Sequence, residues 1–314
     1  MVIPKQSLVR WGETYLFKKG TPLQRLLAYL LLPLSWLYCL IIRIKKRQRN
    51  TYRPAIPVIS IGNLTVGGSG KTPTTIDLAS RYEKSAVLLR GYGRESKGLI
   101  VVKEWGTILV DVKTSGDEAM LYAKSLPDAL VIVSEDRIAG IEEAVRRGAK
   151  VLFLDDGHSK YAIQKLDVLI RPDPEPARRF CLPSGAYREP YTAYGEADFI
   201  LDEASGLERR VTLDNPSEKM LLVTAIAKPE RLDPFLPEVV GKVYFEDHHF
   251  FTREEVASLL ESHRADTLLC TGKDAVKLES FGLPLCIMQL DVNLDPALLR
   301  RIDEYISAYG SPTA

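Results

Sequence analysis

Pro57-Val58-Ile59-Ser60-Ile61-Gly62-Asn63-Leu64-Thr65-Val66-Gly67-Gly68-Ser69-Gly70-Lys71-Thr72-Pro73 reads as a buried strand, a glycine-rich loop and the first turn of a helix. The apolar run over 57–61 is too short for a helix and has no polar alternation, as expected of a strand covered on both faces. Glycines let the loop backbone curl so that several N–H groups and the helix N-terminus face an anion. Lys71 is then placed to reach the β- and γ-phosphates of a nucleotide, and the Thr72 hydroxyl to hold Mg²⁺. Pro73 falls in the first helical turn, where a missing N–H costs little. The residues expected to bind ATP are Thr65, Val66, Gly67, Gly68, Ser69, Gly70, Lys71 and Thr72. Thr65 stands where the usual G-x-x-x-x-G-K-T pattern has glycine.

Working outward, short apolar runs alternate with helical patterns. Strands are expected at 86–89, 130–133, 151–154 and 168–170, with helices over 71–82, 117–125 and 137–147. That alternation predicts a parallel sheet with helices on both faces. The run Val151-Leu152-Phe153-Leu154 ends in Asp155-Asp156-Gly157, carboxylates at a strand end of the kind that hold Mg²⁺ in P-loop proteins. A second series begins near Met220, with strands at 220–224, 239–245, 267–270 and 285–289 and a last helix over about 295–309. The fold class is α/β, two α/β/α sandwich domains of which the first is P-loop NTPase-like. The expected division is 1–53, a membrane-associated segment; 54–214, the nucleotide-binding domain; and 215–314, a smaller C-terminal α/β domain.

The N-terminal segment differs in texture. Residues 1–53 carry eleven Lys/Arg against one acid, Glu13, a balance of +10, whereas the rest of the chain carries −9. Between Arg25 and Arg43 lies an uncharged run interrupted by Pro33, followed at once by Arg43-Ile44-Lys45-Lys46-Arg47. It is slightly short of the roughly 20 apolar residues of a spanning helix. The polybasic flank and the interfacial Trp36 point to an anionic membrane surface. Both a spanning and an interfacial placement fit. Nucleic acid is not expected, because the basic residues are interleaved with Leu, Ile and Trp. Four scattered cysteines fit neither a disulfide framework nor a zinc site and suit a reducing cytoplasm.

Further polar clusters stand out, most of them after strands, at the edge where open α/β sheets bind ligands. They are Arg90-Gly91-Tyr92, Gly116-Asp117-Glu118-Ala119, Glu135-Asp136-Arg137, Leu182-Pro183-x-Gly185 with Arg188-Glu189-Pro190, Asp247-His248-His249 and Lys273-Asp274-Ala275-Val276-Lys277. Together with the loop at 61–73 and Leu154-Asp155-Asp156-Gly157, this ordered set resembles the tetraacyldisaccharide 4'-kinases of lipid A biosynthesis.

The resemblance implies transfer of the ATP γ-phosphate to the 4'-hydroxyl of a tetraacylated glucosamine disaccharide 1-phosphate, at the cytoplasmic face of the inner membrane. It implies ATP and Mg²⁺ as cofactors and an acylated disaccharide phosphate lipid as partner. Carried over, Asp117 is the catalytic base with His248 its partner, and Lys71 stabilises the transferring phosphoryl group. Thr72, Glu118, Asp155 and Asp156 surround Mg²⁺, and Tyr92, Arg137 and Arg188 contact the substrate. Two departures stand out. The family usually has an aromatic, Gln and His where this chain has His158-Ser159-Lys160, and members can carry Asn at the position of Ala186. The alternative is a membrane-associated P-loop ATPase, or a kinase acting on another acceptor. A GTPase is excluded, since Lys273 and Asp274 are adjacent and Asp155-Asp156-Gly157 has the wrong switch spacing.

Overall fold

A computed structural model of the chain describes residues 5–47, 49, 51–67, 70–202, 207–227 and 229–309, with residues 5–10 described by backbone alone. Three helices open it, α1 (Lys5–Phe17), α2 (Pro22–Leu30) and α3 (Leu32–Lys46). Strand β1 (Val58–Gly62) leads through the glycine loop into α4 (Lys71–Ser80). There follow β2 (Ser85–Leu89), a hairpin of β3 (Ile100–Glu104) and β4 (Thr107–Ile108), α5 (Val112–Ser115), α6 (Asp117–Ser125), β5 (Leu130–Val133), α7 (Arg137–Arg146) and β6 (Val151–Asp155). Strands β7 (Leu166–Ile170), β8 (Phe199–Leu201), β9 (Glu208–Asp214), β10 (Met220–Thr224) and β11 (Gly241–Tyr244) come next. The chain ends in α8 (Arg253–His263), β12 (Thr267–Thr271), α9 (Gly272–Leu278), β13 (Leu285–Asn293) and α10 (Pro296–Ala308).

Contacts divide the chain into two compact units that do not follow its order. One comprises Met1–Lys71, Asp156–Leu207 and Asp295–Ala314, the other Thr72–Asp155 and Glu208–Leu294. In the first, β1, β7 and β8 run parallel, with Ile61 opposite Val168 and Val168 opposite Phe199. Every residue of β1 and β7 is buried, the outcome expected of a continuous apolar run in a parallel sheet. Helix α10, expected as part of a C-terminal domain over 215–314, belongs to this unit instead. Arg301 lies 3.7 Å from Asp198, and the Tyr309 hydroxyl donates to the Pro54 carbonyl at 2.8 Å. Its amphipathic pattern fixes a helix but not which surface receives the apolar face.

In the second unit β2 pairs in parallel with β5 and β6, Val87 lying opposite both Val131 and Phe153. The β3–β4 hairpin, absent from the sequence reading, adds an antiparallel edge on β5. Its charge at Lys103 obscures the strand, yet Lys103 is buried, donating from Nζ to the Ala123 and Leu126 carbonyls at 2.8 and 2.7 Å. These are orphan carbonyls at the end of α6, which a cation suits.

The same unit carries a five-stranded sheet in the order β11-β10-β12-β13-β9, parallel except for β9. The expected boundary at 214/215 falls just beyond β9, which pairs along its length with β13. Only its alternate residues turn inward, so Glu208-Arg209-Arg210-Val211-Thr212-Leu213-Asp214 reads as polar chain; Val211 and Leu213 pack on Met220, Leu222, Leu269, Cys286 and Met288. The opposite face holds Leu221, Val223 and Leu268 against Val256 of α8 and Ala275 and Leu278 of α9. Asp274, fully buried, ties the strand ends together. It accepts from the Thr224 and Thr271 hydroxyls at 2.7 and 2.8 Å and from the Ala225 N–H at 3.1 Å.

Candidate active site

The expected site residues fall into two groups, one in each unit. In the first unit β1 delivers Asn63 into the glycine loop. Its side-chain amide donates to the Thr65 carbonyl at 3.0 Å, and its Oδ1 accepts from Lys71 Nζ at 3.2 Å and Arg188 Nη2 at 2.6 Å. Thr65 is buried, and residues 64–66 are zipped to 186–188. The Val66 N–H donates to the Ala186 carbonyl at 2.9 Å and the Arg188 N–H to the Leu64 carbonyl at 2.7 Å. Ala186 thus serves through its backbone, so a missing side-chain amide at that position leaves this ladder intact. Gly67 and Gly70 take φ of +88° and +85°, a conformation that glycine reaches without strain. Gly68 and Ser69 lie outside the described residues.

Just past β6, the Asp156 N–H donates to the Ile61 carbonyl at 2.9 Å, bringing its carboxylate to the loop. Arg188 grips that carboxylate with two bonds of 2.8 Å, and Lys71 Nζ stands 3.7 Å from it. A fork onto both oxygens is the strong geometry of an arginine–carboxylate pair. Two cations therefore share Asn63 and Asp156 where the loop begins and ends. Asn63 carried no assigned role in the sequence; its only signal was a polar residue directly after a buried strand.

The second unit holds Asp117, 4% exposed, at the first residue of α6. His248 Nδ1 lies 3.0 and 3.1 Å from its two oxygens. Lys277 Nζ stands 3.4 Å from Asp117, and Lys273 Nζ 3.9 Å from both Asp117 and Glu118. Burial pushes the Asp117 carboxyl up, but the bond to His248 and the charges of Lys273 and Lys277 outweigh it and hold the group below its ordinary value. The same bond raises His248, against burial and Lys273. Because each depends on the other's charge, the two titrate as a pair. Gly93 makes room for the imidazole: a Cβ there would come within 3.0 Å of His248 Nδ1, at a φ of +73°. The two lysines were quoted in the sequence without a role; their i, i+4 spacing on α9 was the available signal.

Of the other expected residues, Thr72 lies beside the Tyr122 hydroxyl together with Thr75, and the charges of Asp155 and Glu118 act on the same hydroxyl. That buried phenol is driven upward by burial first and by these carboxylates next. Among the described residues no group of three or more His, Cys, Asp and Glu is arranged to hold a metal. Tyr92 is exposed, with the Arg90 guanidinium 5.2 Å from its ring centre. Arg137 is buried and donates to the Ser134 carbonyl, bracing the turn after β5.

His158 explains the departure after Asp155-Asp156-Gly157. Its ring is buried in the first unit, Nε2 3.3 Å from Glu189 and Nδ1 3.5 Å from Asp167. Burial lowers its pKa, but the two carboxylates more than reverse this and raise it to about 9. A folded-state pKa raised from 6.5 gives stability that is complete below 6.5 and lost as pH rises through about 9. Across that span, loss of the His158 proton costs about 3 kcal/mol of stability. The thermal midpoint is therefore expected to fall between about pH 7 and 9.5, and His158→Gln to flatten that decline while lowering the midpoint at neutral pH. An equal decline in His158→Gln, followed by calorimetry, would remove the histidine from the account.

A family model described as Tetraacyldisaccharide-1-P 4'-kinase matches residues 27–215 and 202–307. The tetraacyldisaccharide 4'-kinase of Aliarcobacter butzleri (strain RM4018) is 47% identical over 314 residues, covering 97% of this chain and 99% of that protein. The enzyme of the same name from Helicobacter pylori (strain HPAG1) is 45% identical over 294 residues, covering 93% and 94%. Among solved structures, the crystal structure of the "apo" form of LpxK from Aquifex aeolicus in complex with ATP matches with a TM-score of 0.76 at 27% identity. It covers 89% of this chain and 99% of that one.

Proposed function

The chain belongs to the tetraacyldisaccharide-1-P 4'-kinase family, and from that premise we propose how its residues divide the work of phosphoryl transfer. It is an ATP-dependent lipid A 4'-kinase, moving the γ-phosphate to the 4'-hydroxyl of a tetraacylated disaccharide 1-phosphate. Phosphoryl transfer has a loose transition state, so the protein's part is positioning and charge neutralisation. Lys71 supplies a point charge to the nucleotide's outer phosphates, which take over from Asp156 as its partner. Asp117 accepts the proton of the attacking hydroxyl late in the transfer, and His248 orients it and shares the charge. The observation that carries this assignment is the 3.0 Å contact of Asp117 with His248 at the buried start of α6. Thr72, Glu118, Asp155 and Asp156 are the groups that would hold Mg²⁺, which when bound neutralises charge on the β- and γ-oxygens. Arg188 is assigned to phosphate recognition and Tyr92 to the substrate's side, while Arg137, expected to contact substrate, is buried and braces the turn after β5 instead.

The lipid acceptor calls for a membrane, and α3 is built for one. Ser35, Tyr38, Cys39 and Lys46 turn inward, while Leu34, Trp36, Leu37, Leu40, Ile41 and Ile44 are exposed, Trp36 to 69%. A helix of a water-soluble surface has the opposite arrangement. No single helix among the described residues is long and apolar enough to cross a membrane; α2 and α3, bent by 49°, have that length and composition only together. Arg43 and Lys45 in the last turn, both exposed, complement anionic headgroups. Residues 1–53 are accordingly assigned to an anionic membrane surface, on the cytoplasmic face of the inner membrane where ATP is supplied. The test is transfer of labelled γ-phosphate from ATP to tetraacyldisaccharide 1-phosphate in detergent micelles. Label in the lipid is expected; ATP binding with unlabelled lipid would overturn the acceptor.

A further inference from the structure

The inward face of α3 is tied to one loop by directional bonds at four points. The Ser35 hydroxyl donates to the Cys181 carbonyl at 3.0 Å, shares a 2.8 Å hydrogen bond with the Ser184 hydroxyl and accepts from the Ser184 N–H at 3.1 Å. The Tyr38 hydroxyl donates to the Arg188 carbonyl at 2.8 Å. Cys39 and Cys181 sulfurs meet at 2.8 Å, and Lys46 pairs with Glu189 at 3.2 Å. Tyr38 and Cys39 also pack against a small core that includes Leu64 and Tyr187. The far side of that loop is the ladder joining 186–188 to 64–66 and the Arg188 fork onto Asp156 and Asn63, the two groups that hold Lys71.

We infer that Tyr38 is a positioning residue through which seating of α3 in lipid sets the phosphate-binding clamp. Its phenol bonds the main chain of the residue whose side chain grips the glycine loop, so one residue separates the membrane helix from the nucleotide site. Hydrogen bonds of this kind weaken steeply when stretched or bent, unlike apolar packing, which tolerates sliding. A helix that exposes Leu34, Trp36, Leu37, Leu40, Ile41 and Ile44 takes its rotation and depth from the bilayer, and the loop follows it. Lipid contact therefore favours the arrangement in which Arg188 and Asn63 hold the loop ready for phosphate. Such coupling requires that the two arrangements differ in affinity for the nucleotide, and the shared Asp156 and Asn63 supply that difference.

The inference rests on the lipid-facing reading of α3, and the experiment separates the two. The full-length protein is titrated with a fluorescent non-hydrolysable ATP analogue, with and without vesicles of phosphatidylethanolamine and phosphatidylglycerol, while vesicle sedimentation is measured in parallel. Wild type is expected to sediment and to bind the analogue about two- to tenfold more tightly with vesicles, the worth of one neutral hydrogen bond. Tyr38→Phe, which keeps the ring and loses only the hydroxyl, should sediment equally but lose most of that gain. In turnover its KM for ATP should rise with kcat little changed. Tyr29→Phe, a change on the exposed face of α2, should behave as wild type. A Tyr38→Phe protein that retains the vesicle-dependent gain would overturn the inference, and so would wild type that sediments without any gain. Wild type that fails to sediment would overturn the lipid-facing reading itself, and the inference with it.

Discussion

Asp117→Asn is expected to slow phosphoryl transfer by about 10²- to 10⁴-fold, the range for removing a positioned general base. Asparagine keeps the shape and one oxygen toward His248 but cannot take a proton. The ATP-binding groups of the glycine loop are untouched, so affinity for a non-hydrolysable analogue should stay near wild type. Single-turnover transfer and analogue binding measured on the same preparation check both halves. The variant also leaves His248, Lys273 and Lys277 around an uncharged amide, so the raised pKa of His248 should return toward its ordinary value. A shift of the His248 resonances in NMR titration reports that directly. Because the base and its partner act as a unit, adding His248→Ala should cost little more than Asp117→Asn alone. Full additivity would mean that the two do separate jobs.

Lys71→Ala is expected to lower kcat/KM by about 10²- to 10³-fold, since a charge aimed at the transferring phosphoryl group is used most in the transition state. The effect should fall mainly on kcat, with a smaller rise in the KM for ATP. The fold should survive, because Arg188 continues to hold Asp156 and Asn63 without the lysine. Unchanged thermal stability with lost transfer separates a chemical role from a structural one. Lys71→Arg should recover little, because a planar fork does not replace a compact ammonium in a loop closed around phosphate. Activity in Lys71→Ala within tenfold of wild type would remove the lysine from the transition state.

Much of the first group was legible because its chemistry is carried by neighbours in the chain. The strand at 58–62, the glycine loop, Lys71 and Thr72 follow one another, and local physics forces the strand–loop–helix. Leu154-Asp155-Asp156-Gly157 was readable for the same reason. Other parts were hidden. Strand β9 alternates polar and apolar residues at a sheet edge, and β3 carries a lysine whose burial depends on carbonyls twenty and twenty-three residues away. His158 looked like a lost contact in a catalytic loop and turned out to be clasped by Asp167 and Glu189, carboxylates that only folding brings to it.

The sequence by itself determined the α/β class, the P-loop and the inverted texture of the N-terminal segment. Each of these follows from periodicity, composition or residues within one turn or strand. Only the tertiary structure decided that α10 joins the first unit and that Asn63 and Asp156 are shared by Lys71 and Arg188. It alone decided that His248 and two lysines of α9 surround Asp117 and that Tyr38 reaches Arg188. The reason is physical: covalent order fixes which groups are available nearby. Electrostatics and hydrogen bonding fall off within a few ångströms, so their partners are set by packing of segments more than a hundred residues apart.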